Sequence, residues 1–162
     1  MTEMLEKFLK PGEFYAGCEP VIAETLVGSC VAVCLYNYKG GFGAMNHFLM
    51  DRPKNPADAD IGWYGVTSTR HMIDMVLEID SALTHYRAGV FGGAAVLDIA
   101  DANSGVRAAN VKMALEVLRS AHIQVARQEV GGTRGRRIRF NMRTGEIECR
   151  FAGDIPRRRI LH

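Results

Sequence analysis

The chain is predicted to fold as α+β: a layered α/β sandwich with a mixed or antiparallel sheet and two main helices. Strand-like apolar runs cluster at both ends of the sequence with no helix between them. Two amphipathic helical stripes occupy the middle, separated by one further strand-like run. The resulting order, β-β-β-α-β-α-β-β-β, cannot be wound as a parallel doubly wound sheet, because such a sheet needs a helix between successive strands.

Met4, Leu5, Phe8 and Leu9 fall at helical spacing and Pro11-Gly12 stops them, which predicts a short docking helix or a frayed end over Met1 to Lys10. Apolar runs follow at 21–27, 30–37 and 43–50, divided by Gly28-Ser29 and by Asn37 to Gly41, and read as consecutive strands with a tight turn. Asp51 to Asp60 is rich in Asp, Pro and Asn and reads as a polar loop. Met72, Val76, Ile79, Leu83 and Tyr86 recur in steps of four and three, predicting an amphipathic helix over Thr67 to Tyr86 with Thr67 or Ser68 as its cap. Gly89 to Asp98 reads as a buried strand, Asn110 to Ala121 as a second helix through Val111, Ala114, Leu115 and Leu118, and Ile123 to Val130 as a strand again. Ile138, Phe140 and Met142, then Ile147, Cys149 and Phe151, alternate with polar residues around Arg143-Thr-Gly-Glu146, the pattern of a β-hairpin with one apolar face.

A chain of 162 residues, 48% hydrophobic and 23% charged, suits one domain that buries about 70% of its unfolded surface. The expectation is a single domain over residues 1–162, with residues 1–20 as an N-terminal extension and 153–162 as a basic tail, both peripheral. A net charge of +2 suggests neither a nucleic-acid nor a membrane-surface protein. The average conceals nine arginines between Arg134 and Arg159, against Glu146, Glu148 and Asp154. No aromatic-stacking motif accompanies them, which leaves RNA binding without support. Nor does any phosphate-binding G-x-x-x-x-G-K-[ST] loop occur.

Cys18, Cys30, Cys34 and Cys149 follow no disulfide framework, and with no secretory signal and no apolar run of transmembrane length they fit a reducing cytoplasm. Cys30 and Cys34 on one strand would lie roughly 13 Å apart, too far for a disulfide. No second cysteine pair stands at zinc-finger spacing.

The chemistry concentrates in Thr25 to Tyr36 and Gly43 to Met50. Cys30 follows the Gly28-Ser29 turn at the edge of a strand, and His47 stands on the neighbouring apolar run, so consecutive strands can bring them together. A thiol near its free pKa is mostly protonated at pH 7, and an adjacent imidazole can take that proton and return it to a leaving group. Cys30 therefore reads as a nucleophile and His47 as its base. Cys34 reads as a small core residue, and His71, His85, His122 and His162 have no motif behind them.

Gly28-Ser-Cys-Val-Ala-Val-Cys-Leu-Tyr36, Met45-Asn-His-Phe48, Val90-Phe-Gly-Gly-Ala94 and Gly131-Gly-Thr-Arg-Gly-Arg136, in this order, resemble the CheD family of chemoreceptor glutamine deamidases, from about Val21 to about Phe151. The resemblance implies a layered α/β structure related to other cysteine-dependent deamidases, with Cys30 as nucleophile and His47 as base. It also implies a threonine upstream of the cysteine as third member. Thr25 is the only threonine there, with Glu24 taking the place if the register is kept strictly. On one uninterrupted strand residues 25 and 30 would face opposite ways, so a bend at Gly28-Ser29 is expected. Val106-Arg-Ala-Ala-Asn110 replaces an Ile-Gly-x-Arg-Asn element of many members, keeping Asn110 and shifting or losing the arginine. Gly92-Gly93 and Gly131-Gly132 read as close-packing or turn glycines.

The implied activity is hydrolysis of glutamine side-chain amides in the cytoplasmic helices of chemoreceptors, through a thioester and without metal or organic cofactor. The implied alternative is a non-catalytic adaptation regulator that binds a CheC-type phosphatase. The basic stretch including Arg157, Arg158 and Arg159 would steer an acidic partner or be a solvated tail. Neither nucleic acid nor membrane insertion is expected.

Overall fold

The segment Val21–Val27 (β3) shows how the layers are set. Its odd residues Val21, Ala23, Thr25 and Val27 are buried, whereas Ile22, Glu24 and Leu26 face outward. One strand face is thus apolar and one wet, as in the outer sheet of a sandwich. In the computed structural model, which describes residues 3–58, 60–96 and 104–154, β3 belongs to a four-stranded sheet. It pairs in parallel with Leu5–Phe8 (β1) and antiparallel with Arg136–Asn141 (β8), and β8 continues to Ile147–Phe151 (β9).

The second sheet has five strands, in the order β2 (Phe14–Gly17), β5 (Phe42–Asn46), β4 (Val31–Asn37), β6 (Tyr86–Gly92), β7 (Gln124–Val130). Only β6 and β7 run parallel. It is the middle layer, and its central strands read as near-continuous apolar runs because both faces are covered. One face carries helices α1 (Gly65–Ile79) and α2 (Ser104–Ser120), which bury Val31, Val33, Leu35 and Phe48 against Met72, Val76, Ala114 and Leu118. The other face meets the four-stranded sheet: Ala32, Cys34, Met45 and Phe91 pack on Val21, Ala23, Val27, Ile138 and Phe140. The layers are therefore helices, five-stranded sheet, four-stranded sheet, an α+β sandwich of the expected class.

Several boundaries differ from expectation for local reasons. Residues 5–8 form a strand, not a helix: β1 pairs with β3 and Leu9 N–H donates to the Glu24 carbonyl at 2.8 Å, with Leu9 itself in the core. Phe14–Gly17 is a further strand beyond the sequence pattern. Helix α1 opens at Gly65 with no side-chain cap, and Thr67 within it donates to the carbonyls of Ile61 and Tyr64. It stops at Ile79, not Tyr86, because Asp80 turns its carboxylate to Asn37, Ala82 and His85, and Tyr86 already belongs to β6. The second helix extends nearly two turns further toward the N-terminus than its apolar stripe suggested. Strand β6 ends at Gly92. Residues 97–98 of the predicted strand, and Arg157, Arg158 and Arg159, lie outside the described residues.

Candidate active site

Between β3 and β4 the chain passes from one sheet to the other within Gly28-Ser29-Cys30. The step is held by a cradle: the Gly28 carbonyl accepts the Ala94 N–H at 2.8 Å and the Cys30 carbonyl accepts the Gly93 N–H at 2.9 Å. Gly92 and Gly93 have φ of 116° and 67°, and a Cβ on Gly92 would overlap the Cys30 carbonyl oxygen. Here glycine is required twice over, for the left-handed backbone and for the close approach. Cys30 emerges half-buried at the entrance to β4.

The passage between sheets resolves the relation of Thr25 to the site. Residues 25 and 30 are not on one strand, so period-two alternation does not oppose them. The inward face of β3 looks directly across to the inward face of the five-stranded sheet, and there Thr25 Oγ1 lies 2.7 Å from His47 Nδ1, both residues buried. Glu24 points the opposite way, to the outer surface, where it accepts from Arg137 at 2.8 Å and from Arg139 at 3.3 Å. It is no partner of His47.

The hydrogen bonds assign the imidazole tautomer. A threonine hydroxyl has one proton, and that of Thr25 is donated to the Leu9 carbonyl at 2.7 Å, an oxygen that can only accept. Toward His47 the same hydroxyl must accept, so Nδ1 carries the ring proton and Nε2 presents a lone pair. Nε2 is buried and has no hydrogen-bond partner among the described residues. Burial pushes the His47 pKa down to about 4, since it penalises the imidazolium. His47 is therefore a neutral imidazole throughout the neutral pH range.

Register relates Cys30 to this imidazole. The β4–β5 ladder pairs Cys34 with Met45, and an isolated bridge pairs Val31 with Phe48 in the same register. Extended by one step each way, it sets His47 beside Ala32 and Leu49 beside Cys30. On this register Cys30 and His47 occupy diagonal positions on the face that looks into the inter-sheet space. The thiol is not hydrogen-bonded to Nε2 in this arrangement. Burial pushes the Cys30 thiol up and the Ser29 side chain pulls it partly back, so the resting pair is thiol and neutral imidazole. Cys34, wholly buried, is pushed much further up by burial, as suits a core residue.

Two further residues were not singled out by sequence reasoning as parts of the site. Asn46, fully buried, bonds to β4 and to α1. Asn110 of α2 donates to the Leu49 carbonyl at 2.8 Å and so ties the second helix to the segment that follows His47. The Met45-Asn-His-Phe48 and Val106 to Asn110 motifs contain both, but their partners are remote in sequence. A groove of about 590 Å³ opens beside Gly93 and runs along α2, lined by Arg107, Val111, Leu115 and Arg119. Among the described residues no group of three His, Cys, Asp or Glu side chains is arranged to hold a metal, and no helix is long and apolar enough to cross a membrane.

Comparison with known proteins gives a consistent result. The family model described as CheD chemotactic sensory transduction matches residues 49–151. A Rhodospirillum rubrum protein named "Probable chemoreceptor glutamine deamidase CheD" is 37% identical over 150 residues, 93% of this chain and 84% of that one. That alignment leaves only about a dozen residues of this chain outside and so takes in Thr25, Cys30 and His47. A Geobacter sulfurreducens protein named "Probable chemoreceptor glutamine deamidase CheD 2" and a Trichlorobacter lovleyi protein named "Probable chemoreceptor glutamine deamidase CheD" are each 34% identical, covering 86% of this chain and 86% of their own.

Proposed function

The chain belongs to the CheD family, and from that premise we propose that it is a chemoreceptor glutamine deamidase, hydrolysing glutamine side-chain amides of receptors to glutamate and ammonia, with Cys30, His47 and Thr25 as its catalytic machinery. The observation that carries the assignment of these residues is the buried, unpartnered Nε2 of a histidine whose other nitrogen is committed to Thr25. An orphaned buried acceptor costs about 1–3 kcal/mol, and a base awaiting a proton is a reason to keep one.

In the proposed reaction the substrate carboxamide carbon approaches Cys30 Sγ. As the S–C bond forms, the thiol proton passes to His47 Nε2. Transfer accompanies attack and does not precede it, since burial disfavours both the thiolate and the imidazolium. The Ser29 and Cys30 amide N–H groups, engaged by no hydrogen bond among the described residues, are the donors proposed to meet the oxyanion. Protonated His47 then gives its proton to the departing nitrogen, ammonia leaves, and a thioester remains. Water, deprotonated by the same Nε2, attacks the thioester carbonyl, and the proton returns to sulfur. Thr25 keeps Nδ1 protonated and the ring oriented throughout, as the third group does in triads generally. No step draws on a metal or organic cofactor.

The receptor's cytoplasmic helices are the proposed partner and the cytoplasm the proposed location. Incubating receptor cytoplasmic fragments with the protein should add roughly one dalton at particular glutamines, the mass change of amide-to-acid conversion by the thioester route. Cys30→Ala should abolish this and Cys34→Ala should keep most of it. An active Cys30→Ala protein beside a folded, inactive Cys34→Ala protein would transfer the nucleophile to Cys34. No conversion by the parent on any receptor would leave the non-catalytic role, as a binder of a CheC-type phosphatase.

A further inference from the structure

In an antiparallel ladder, pairs that exchange both N–H···O bonds alternate with pairs that exchange none. Val31 and Phe48 exchange both, at 3.1 and 3.0 Å. Val33 and Asn46 stand in the next bonded position of the same register. There the main-chain bond is replaced: the Val33 N–H donates to the side-chain Oδ1 of Asn46, at 2.8 Å. The carboxamide takes the place of the main-chain acceptor for Val33, the paired register is interrupted at this position, and it resumes at Cys34 and Met45.

The other end of the same carboxamide is equally committed. Asn46 Nδ2 donates to Ser68 Oγ at 3.0 Å and to Thr69 Oγ1 at 3.1 Å, on the buried face of α1. Asn46, Ser68 and Thr69 are all inaccessible to solvent. His47, the next residue, turns its main chain to the other side: its N–H donates to the Glu13 carbonyl at 3.1 Å and its carbonyl accepts the Gly12 N–H at 2.8 Å. Adjacent side chains on extended backbone point to opposite faces. A carboxamide drawn toward α1 therefore sends the imidazole the other way, between the sheets, to Thr25.

We infer that Asn46 is a positioning residue for His47, setting the depth of the imidazole between the two sheets by spanning the opening between β4, β5 and α1. The inference rests on the reading of His47 as the base. An apolar side chain of similar volume would fill the space but would leave the Val33 N–H buried and unpaired and would let the ladder close. His47 would then shift toward β4, away from the Thr25 hydroxyl.

Two variants and two readouts test this. Histidine ¹⁵N spectra, taken without substrate, should show His47 of the parent as a single tautomer protonated at Nδ1. Asn46→Ala should mix the two tautomers and lower kcat about 10²-fold, the cost of roughly 1 Å of misplacement, with KM changed less than about twofold. Ser68→Ala with Thr69→Val keeps Asn46 but frees its Nδ2, and should lower kcat about tenfold with a partial change in the ring signals. A folded Asn46→Ala protein with parental kcat and ring spectrum overturns the inference. If Asn46→Ala does not fold, the double variant decides, and parental kcat and ring signals there overturn it equally. A parent with the single tautomer that deamidates no receptor would sink the functional reading while leaving the hold of Asn46 on His47 intact.

Discussion

Acidification should destabilise this protein through one buried imidazole, by an amount that follows from the structure. His47 has a pKa near 4 in the folded chain, lowered by burial, against about 6.5 when exposed. As pH falls the unfolded chain takes the proton first, so between pH 6.5 and 4 the unfolded state holds more protons and native stability rises with pH. Linkage of these two values gives a loss of about 2 kcal/mol between pH 7 and pH 5, and about 3 kcal/mol by pH 4. That is a large part of a typical domain's 5–15 kcal/mol or so. His47→Asn lacks the titration. Urea unfolding of parent and variant at pH 7, 6 and 5, followed by circular dichroism, should show the parent losing about 2 kcal/mol more than the variant over that range. Asp80, whose hydrogen bonds from Asn37 and His85 hold its carboxyl down to about 2, titrates below this window in both proteins. Parallel stability profiles for parent and variant would refute the argument, and with it the claim that His47 rests neutral. The same neutrality predicts that kcat/KM keeps its value below pH 6.5, its acid limb lying near pH 4.

Other outcomes follow from contacts already described. Thr25→Val keeps the volume but leaves both the Nδ1–H of His47 and the Leu9 carbonyl unpaired. It should cost about 2–4 kcal/mol in stability and about 10² in kcat, whereas Thr25→Ser should retain most of both; equal turnover in the valine and parent proteins would remove Thr25 from the site. Gly92→Ala combines a left-handed backbone with overlap on the Cys30 carbonyl and should lower stability by about 2–5 kcal/mol, read as a drop in Tm. A fully active Gly92→Ala protein of unchanged Tm would mean that the cradle does not constrain Cys30.

The hairpin Arg136–Phe151 was legible because one of its faces is buried and the other wet, so strict alternation reported the geometry. Residues 5–8 were misleading for the converse reason: all four are exposed, so the spacing of Leu5 and Phe8 carried no information about burial, and the pairing partner lies sixteen residues away. The first helix looked too long because Leu83 and Tyr86 happen to continue its spacing while serving another element. Cys30 and His47 could be read from local motifs. Thr25 was named only by the family resemblance; its approach to His47 could not be derived from periodicity, since it depends on β3 and β4 lying in different sheets. Asn46 was hidden similarly: its partners Val33, Ser68 and Thr69 come from two other elements.

The step from β3 to β4 has a consequence for when this protein can act. Thr25 and His47 are only 22 residues apart along the chain, yet they meet solely because two separately hydrogen-bonded sheets are stacked face to face. No fragment with one sheet formed, and no folding intermediate whose sheets have yet to dock, contains the Thr25–His47 hydrogen bond. With Cys30 as the proposed nucleophile, the thiol precedes in sequence the strands that complete the sheet presenting Thr25, which is whole only when β8 pairs with β3. On the proposed assignment the consequence is a safeguard: reactivity toward glutamine would arrive together with the stacked layers and be lost when they part.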